Sequence, residues 1–230
     1  AGVLRNSLEM TTLEHQAGEH LRSIRVIAGD VDSARAIFDL MPTATVENWK
    51  TIAERMSNVP TAFAGMRESW DLGIKRQTVA PRRQALVVAE QLETWAGTPS
   101  SPGFFTQFAE SAATVKGAPL DDLREAAVAA SKSMSETANY LRQTYAPAAD
   151  PRNGVGQERH ALARRRFMGM NVDARESYEW GFAEVLRLDA ELIKTAREIN
   201  PNMSLNEVRN FLDTDPSHSI EGEETLRSWL

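Results

Sequence analysis

The segment 172–199 constrains the fold more than any other part of the sequence, because its start, its end and its apolar face are all marked. Asp173 and Glu176 have the spacing of a helix N-cap pair, in which a short side chain accepts from a free backbone N–H. Asn200-Pro201 prevents the helix from continuing. Apolar residues recur at three- and four-residue spacing, at Tyr178, Phe182, Val185, Leu192, Ala196 and Ile199. The pattern predicts one long amphipathic helix, which we expect to be central to the fold.

One position on this apolar face carries a charge. Asp189 lies between Val185 and Leu192, where the pattern favours an apolar side chain. A carboxylate is tolerated in a core only when it is paired or hydrogen-bonded. We therefore expect Asp189 to be a buried structural charge, paired with an arginine from the segment around Arg159 or from the arginine run 164–166. A functional role for this carboxylate is the alternative.

The rest of the chain shows helical periodicity between helix-stopping residues. Apolar faces are predicted within residues 49–56, 63–74, 85–95, 105–115, 120–141, 155–167 and 205–212. Thr45 and the pair Ser204 and Glu207 are expected to cap two of these helices, and Pro147 is expected to end another by Ala146. A loop is expected at 97–103, and Gly181 is expected to permit a close backbone approach. No stretch has the alternation or the turn residues of a β-hairpin. The fold class predicted is therefore all-α, a multi-helix bundle of antiparallel helices with a long central helix. We expect one helical region over residues 1–230, with 1–117 and 118–230 as candidate sub-lobes.

Composition narrows the classes of function. The 230 residues can bury one large or two small cores, and they include no cysteine and carry a net charge of -6. An acidic chain is a poor match for phosphate backbones, so no nucleic-acid partner is expected. No apolar run reaches the roughly 20 residues of a membrane span, and the N-terminus lacks signal-peptide features. These observations favour a cytoplasmic protein without a membrane partner.

The sequence lacks the common catalytic motifs. It contains no His-Glu-x-x-His, no Gly-x-Ser-x-Gly and no glycine-rich phosphate loop. His15 and His20 are five residues apart, which on a continuous helix places them about 140° apart around the axis. We therefore expect no shared metal there, no catalytic residue and no cofactor in this chain. The arginine run 164–166 is interpreted as a solvated face, with binding of phosphate or an acidic substrate as the alternative.

The two chain ends carry apolar helical faces without caps. Leu226, Trp229 and Leu230 share one face, and no Gly, Asn or Pro follows them. An apolar face of this kind favours burial against a partner. We expect the chain to be a fragment of a longer protein, whose remainder is the missing partner. A homodimer of the fragment is the alternative.

Five segments together resemble one protein family. They are LEHQAGEHLR (13–22), FDLMP (38–42), VAPRRQ (79–84), GVGQER (154–159) and YEWG (178–181). The chain resembles, nearly end to end, the bacterial domain-of-unknown-function family eight-eight-five. The resemblance also implies a further portion before Ala1.

Members of that family look like helical zinc metallopeptidases whose His-Glu-x-x-His motif lies downstream of the region that this chain matches. The resemblance thus implies a non-catalytic helical part that forms one wall of a substrate groove, with zinc only in the full-length parent. A helical binding or scaffold module without enzymatic activity is the alternative. The candidate binding residues are Arg159, His160 and Trp180. His160 stands where relatives are expected to carry an aromatic residue.

Overall fold

The computed structural model describes residues 2–98 and 100–230, and these residues are mainly helical. They form two compact units, of which the first ends at Gly169 and the second spans Met170–Leu230. The sub-lobe boundary expected after residue 117 is therefore wrong. The helix that begins at Leu120 packs against the helices before it and belongs to the first unit.

The first unit contains nine α-helices in its described residues. They are α1 Gly2–Gln16, α2 Asp30–Ala36, α3 Val46–Ser57, α4 Val59–Lys75, α5 Arg82–Ala96, α6 Phe104–Ser111, α7 Leu120–Tyr140, α8 Ala146–Ala148 and α9 Gln157–Met168. Short 3₁₀ turns cover Glu19–Arg22, Ile37–Leu40 and Ala112–Thr114, and a π-helical turn covers Leu141–Tyr145. A two-stranded antiparallel ribbon, β1 Gly97–Thr98 and β2 Ser101–Pro102, lies where a loop was expected.

Helix α7 is the central helix of the first unit. It packs against α3, α4, α5 and α6. Its predicted face is buried at Leu123, Ala127, Ala130 and Met134. Small alanine side chains let neighbouring backbones come close, which suits a helix with four partners. The predicted all-α bundle with a long central helix is confirmed, but α7 occupies that position in the first unit, whereas the segment 172–199, which was predicted to be central, belongs to the second unit.

Helix α3 shows how local sequence signals and packing agree in this unit. The Thr45 hydroxyl accepts from the Asn48 backbone N–H at 3.2 Å, and the Asn48 side chain accepts from the Thr45 N–H at 3.1 Å, which closes a reciprocal cap. The predicted face of α3 is fully or almost fully buried, at Trp49, Ile52, Ala53 and Met56. The cap starts the helix, and the apolar face places it on α7.

The chain remains helical beyond the point where a stop was expected. Pro147 was expected to end the helix by Ala146, yet it lies in the first turn of α8, where no backbone N–H is needed. The π-helical turn before it buries Tyr145 completely. The Tyr145 hydroxyl accepts from the Ala80 N–H at 2.7 Å, and Arg82 Nε donates to the Ala146 carbonyl at 3.0 Å. These bonds tie this turn to the start of α5.

The second unit contains α10 Ala174–Ile199, α11 Leu205–Thr214 and α12 Glu223–Trp229. The Asp173 carboxylate accepts from the Arg175 and Glu176 N–H groups, both at 2.9 Å, as its capping position predicts. The predicted capping box at Ser204 and Glu207 is also present. Helices α10 and α11 pack together, and Ala196 and Val208 are buried. No described helix is long and apolar enough to cross a membrane.

Most of the apolar face predicted for α10 is exposed. The exposed members are Tyr178, Phe182, Val185, Leu192 and Ile199. Asp189 is exposed as well, so the expected buried charge pair is wrong, because a solvated carboxylate needs no arginine partner. A Cβ atom added at Gly181 would meet nothing within 4 Å, so the close backbone approach expected there is absent from the described structure.

Candidate functional site

A cavity of about 700 Å³ opens in the first unit between the end of α1, the turn Glu19–Arg22, the loop 23–29, the start of α2 and α9. This volume lies in the range of sites that hold small ligands. His15, His20 and Arg25 contribute polar groups to the lining, whereas α9 contributes both arginines and apolar side chains. The cavity is the candidate functional site.

Gly18 shapes the polar part of the lining. Helix α1 ends at Gln16, and Gly18 has φ +71°, a left-handed conformation that a side chain disfavours. A Cβ atom at this position would also lie 2.8 Å from Thr78 Cγ2. The chain then enters the turn Glu19–Arg22, where Arg22 Nη2 donates to the Ala17 carbonyl at 2.9 Å. Glycine at this position therefore lets the chain reverse tightly beside α1.

The reversal brings two histidines together. The rings of His15 and His20 stack with their centroids 4.3 Å apart and their planes within 12°. The separation of about 140° expected from a continuous helix is wrong, because the helix ends between the two residues. Within residues 2–98 and 100–230, no group of three or more His, Cys, Asp or Glu side chains is placed to hold a metal ion. The absence of a shared metal stays a prediction.

Glu19 and Arg159 join the turn to α9. Arg159 Nε and Nη2 donate to the two carboxylate oxygens of Glu19, both at 2.7 Å. Burial acts to raise the pKa of Glu19, but the hydrogen bonds from Arg159 and the charges of Arg159, Arg22 and Arg25 outweigh it and hold that pKa below its usual value. The carboxylate is therefore ionised at neutral pH, and the pair is a fixed two-point contact.

Positive charge exceeds what Glu19 can neutralise. Arg22 Nε lies 3.7 Å from Glu19 Oε1, and this buried nitrogen has no hydrogen-bond partner. Burial, and next the charge of Arg159, lower the pKa of Arg22. Arg25 is exposed in the loop at the cavity and forms no ion pair with any described residue. Three guanidinium groups thus act on one carboxylate.

The arginine run on α9 has partners on α1. Arg165 Nη2 lies 2.9 Å from Glu9 Oε1, and Arg166 Nη1 lies 3.0 Å from Glu14 Oε2. The interpretation of this run as a solvated face is therefore wrong for Arg165, which is partly buried, whereas Arg166 is exposed as that interpretation expects. Their charges hold α9 against α1, which positions both walls of the cavity.

The apolar part of the cavity lining comes from α9 and the residues before it. Val155, Leu162 and Phe167 line it, and the Phe167 side chain is 89% exposed. An exposed phenylalanine at a cavity edge offers contact area to a ligand. The site therefore combines charged hydrogen-bond donors with an apolar surface.

The predicted binding residues fall in different places. Arg159 lines the cavity, whereas His160 is exposed and lies outside the cavity lining. Trp180 lies on α10 in the second unit and is 70% exposed. Roles for His160 and Trp180 stay predictions. Sequence reasoning missed Arg25 and the joint placement of the two histidines, for which Gly18 between them was the available signal.

Comparison with known proteins identifies one match. A family model described as "Bacterial protein of unknown function (DUF885)" matches residues 1–230. No curated protein matches the chain.

Proposed function

We propose that this chain, which belongs to the DUF885 family of bacterial proteins, is the non-catalytic helical part of a zinc metallopeptidase-like cytoplasmic protein. In this proposal the cavity between α1 and α9 is part of one wall of a groove that binds a peptide substrate. The zinc and the catalytic residues belong to the remainder of the parent protein, which is the principal partner of this chain.

The observation that supports this proposal is the composition of the cavity. A peptide presents backbone carbonyls and carboxylates together with side chains that are often apolar. The cavity lining offers imidazole and guanidinium donors together with the apolar side chains of Leu162 and Phe167. Pockets that bind small peptides and metabolites typically join a few polar groups to apolar surface in this way.

Peptide binding tests the proposal. A ¹⁵N-labelled chain is titrated with a mixed-sequence octapeptide, and backbone amide shifts are followed by NMR. We expect saturable shifts at the end of α1 and along α9. Ala163 is exposed and lines the cavity, so Ala163→Trp should fill the site and remove these shifts. Glu158→Trp, exposed on the same helix but outside the lining, is the matched control and should leave them unchanged.

The result that would overturn the proposal is equally specific. If the octapeptide causes no shifts around α1 and α9, or if Ala163→Trp and Glu158→Trp bind it equally, the cavity is not a peptide groove.

A second candidate function is a binding or scaffold module without enzymatic activity. The exposed apolar residues of α10, Tyr178, Phe182 and Val185 among them, favour it, because a contiguous apolar face often marks an interaction surface. In this proposal a second copy of the chain covers the face. Sedimentation velocity should then show a concentration-dependent dimer that Phe182→Glu removes, and a monomer at every concentration would exclude this dimer.

A further inference from the structure

We infer that the cavity between α1 and α9 binds the free C-terminal carboxylate of a peptide whose last side chain is apolar. Arg25 and the His15–His20 pair take the carboxylate, and Leu162 and Phe167 take the side chain. This inference rests on the proposed function and names the substrate class for its groove.

The first observation is the charge around the cavity. The lining carries three guanidinium groups, of Arg25, Arg159 and Arg166, and three carboxylates, of Glu14, Glu19 and Asp30. Glu14 and Glu19 already pair with Arg166 and Arg159. Outside the lining, Arg22 lies 3.7 Å from Glu19 and adds a positive charge beside this balanced set, which favours an anionic ligand.

The second observation is which donors are free to meet the ligand. Arg159 uses two of its N–H donors to bind Glu19, and Arg166 is paired with Glu14. Arg25 lines the cavity without an ion pair among the described residues, so its planar fork can receive both oxygens of a carboxylate. His15 and His20 also line the cavity and add ring N–H donors.

The third observation is the apolar part of the cavity lining. Leu162 is half-buried and Phe167 is 89% exposed, and both line the cavity. A bare inorganic anion would leave this apolar surface in water. A C-terminal leucine or phenylalanine residue would cover it while its carboxylate reached Arg25.

Small model ligands separate these contributions. The probes are N-acetyl-leucine, N-acetyl-leucinamide and N-acetyl-glycine, and the readout is the imidazole ring signals of the full chain by NMR. His218, in the second unit, is the internal reference. We expect N-acetyl-leucine to shift the signals of His15 and His20 saturably. The amide, which lacks the charge, should bind about tenfold more weakly or worse. N-acetyl-glycine should also bind more weakly, because it lacks the apolar side chain.

Two variants locate the interaction. Arg25→Gln should lower the affinity for N-acetyl-leucine about tenfold or more, whereas Arg83→Gln, an exposed arginine outside the cavity, should not. Phe167→Ala should weaken N-acetyl-leucine but not N-acetyl-glycine, and its high exposure makes it safe for folding. Equal binding of acid and amide, unchanged binding by Arg25→Gln, or no shift at His15 and His20 would overturn the inference.

The test distinguishes this inference from the proposed function. If the octapeptide binds equally with a free or an amidated C-terminus, the proposed peptide groove is supported and the carboxylate site is rejected. If N-acetyl-leucine binds at Arg25 but the octapeptide does not bind, the carboxylate site is supported and the peptide groove is rejected.

Discussion

Helices α3 and α10 carry similar apolar faces, but only the face of α3 is buried. Trp49, Ile52, Ala53 and Met56 are at most 8% exposed, because α7 covers them. On α10, Ala196 is buried against the neighbouring α11, while Tyr178 and Phe182 are 71% and 55% exposed. Periodicity therefore indicates which residues share a face, and burial depends on a second element that covers it.

The largest expected difference in stability between the two faces is at two phenylalanines. Phe63 on α4 is 0% exposed and Phe182 is 55% exposed. Phe63→Ala should cost about 3–5 kcal/mol of unfolding free energy, because it opens a cavity in the core. Phe182→Ala should cost less than about 1 kcal/mol. Denaturant melts followed by circular dichroism measure both, and equal losses would show that the face of α10 is covered in solution.

Two helical glycines provide a second comparison between α4 and α10. A Cβ atom at Gly73 on α4 would lie 2.7 Å from the Leu21 carbonyl oxygen and 2.8 Å from that of Thr78, whereas at Gly181 it meets open space. Gly73→Ala should therefore destabilise the chain by about 1–3 kcal/mol through overpacking. Gly181→Ala should stabilise α10 by about 1 kcal/mol, since alanine is the better helix former.

Thermal melts of these two variants should move in opposite directions. A destabilised Gly181→Ala variant would mean that another backbone lies close to α10.

Ion pairs in the two units should respond differently to pH. The pKa of Glu19 lies below its usual value, so the pairing with Arg159 contributes its full stabilisation above that usual value and loses it as pH falls through the lower folded pKa. Glu19→Gln should cost about 1 kcal/mol at pH 7, after allowance for solvent screening, and nothing at the lowest pH.

Glu184→Gln is the matched control for this experiment. Glu184 pairs with Arg187 one turn away on the exposed surface of α10, so its loss should be smaller. Denaturant melts between pH 2 and pH 7 follow both variants. A loss in Glu19→Gln that is independent of pH would contradict the assigned charge pairing.

The smallest expected effect is at Asp189. This carboxylate interrupts the apolar face of α10 but is exposed, so Asp189→Ala should change stability by no more than about 0.5 kcal/mol. A loss of about 3–5 kcal/mol, as expected for one partner of a buried charge pair, would restore the original interpretation of this residue.

Local signals in the sequence predicted much of the helical layout. Thr45, Asp173 and Ser204 cap the helices that they were expected to cap. The ends of helices were predicted less reliably. Pro147, for example, fits the first turn of a new helix after a π-helical turn. The residues that start a helix act within a few positions, so helix starts can be predicted from the sequence. A helix can continue past an expected end when the chain changes from one helix type to another.

The cavity was less predictable because distant residues build it. The Glu19–Arg159 contact joins residues 140 positions apart, and no periodicity reports such a pairing. His15 and His20 meet only because Gly18 reverses the chain. Arg159 was predicted to bind, but Arg25 lies in a loop without a motif. The helices that line the site could therefore be predicted from the sequence, whereas most of its polar contacts could not.

We propose that this chain binds peptide and that the zinc and the catalytic residues lie in the rest of the parent protein. The most direct test of this proposal is mass spectrometry of an octapeptide incubated with the chain after equilibration with zinc and dialysis. We predict that the peptide mass is unchanged and that the dialysed chain retains far less than one zinc ion. Cleavage products that disappear with a chelator, together with one tightly held zinc per chain, would contradict the claim.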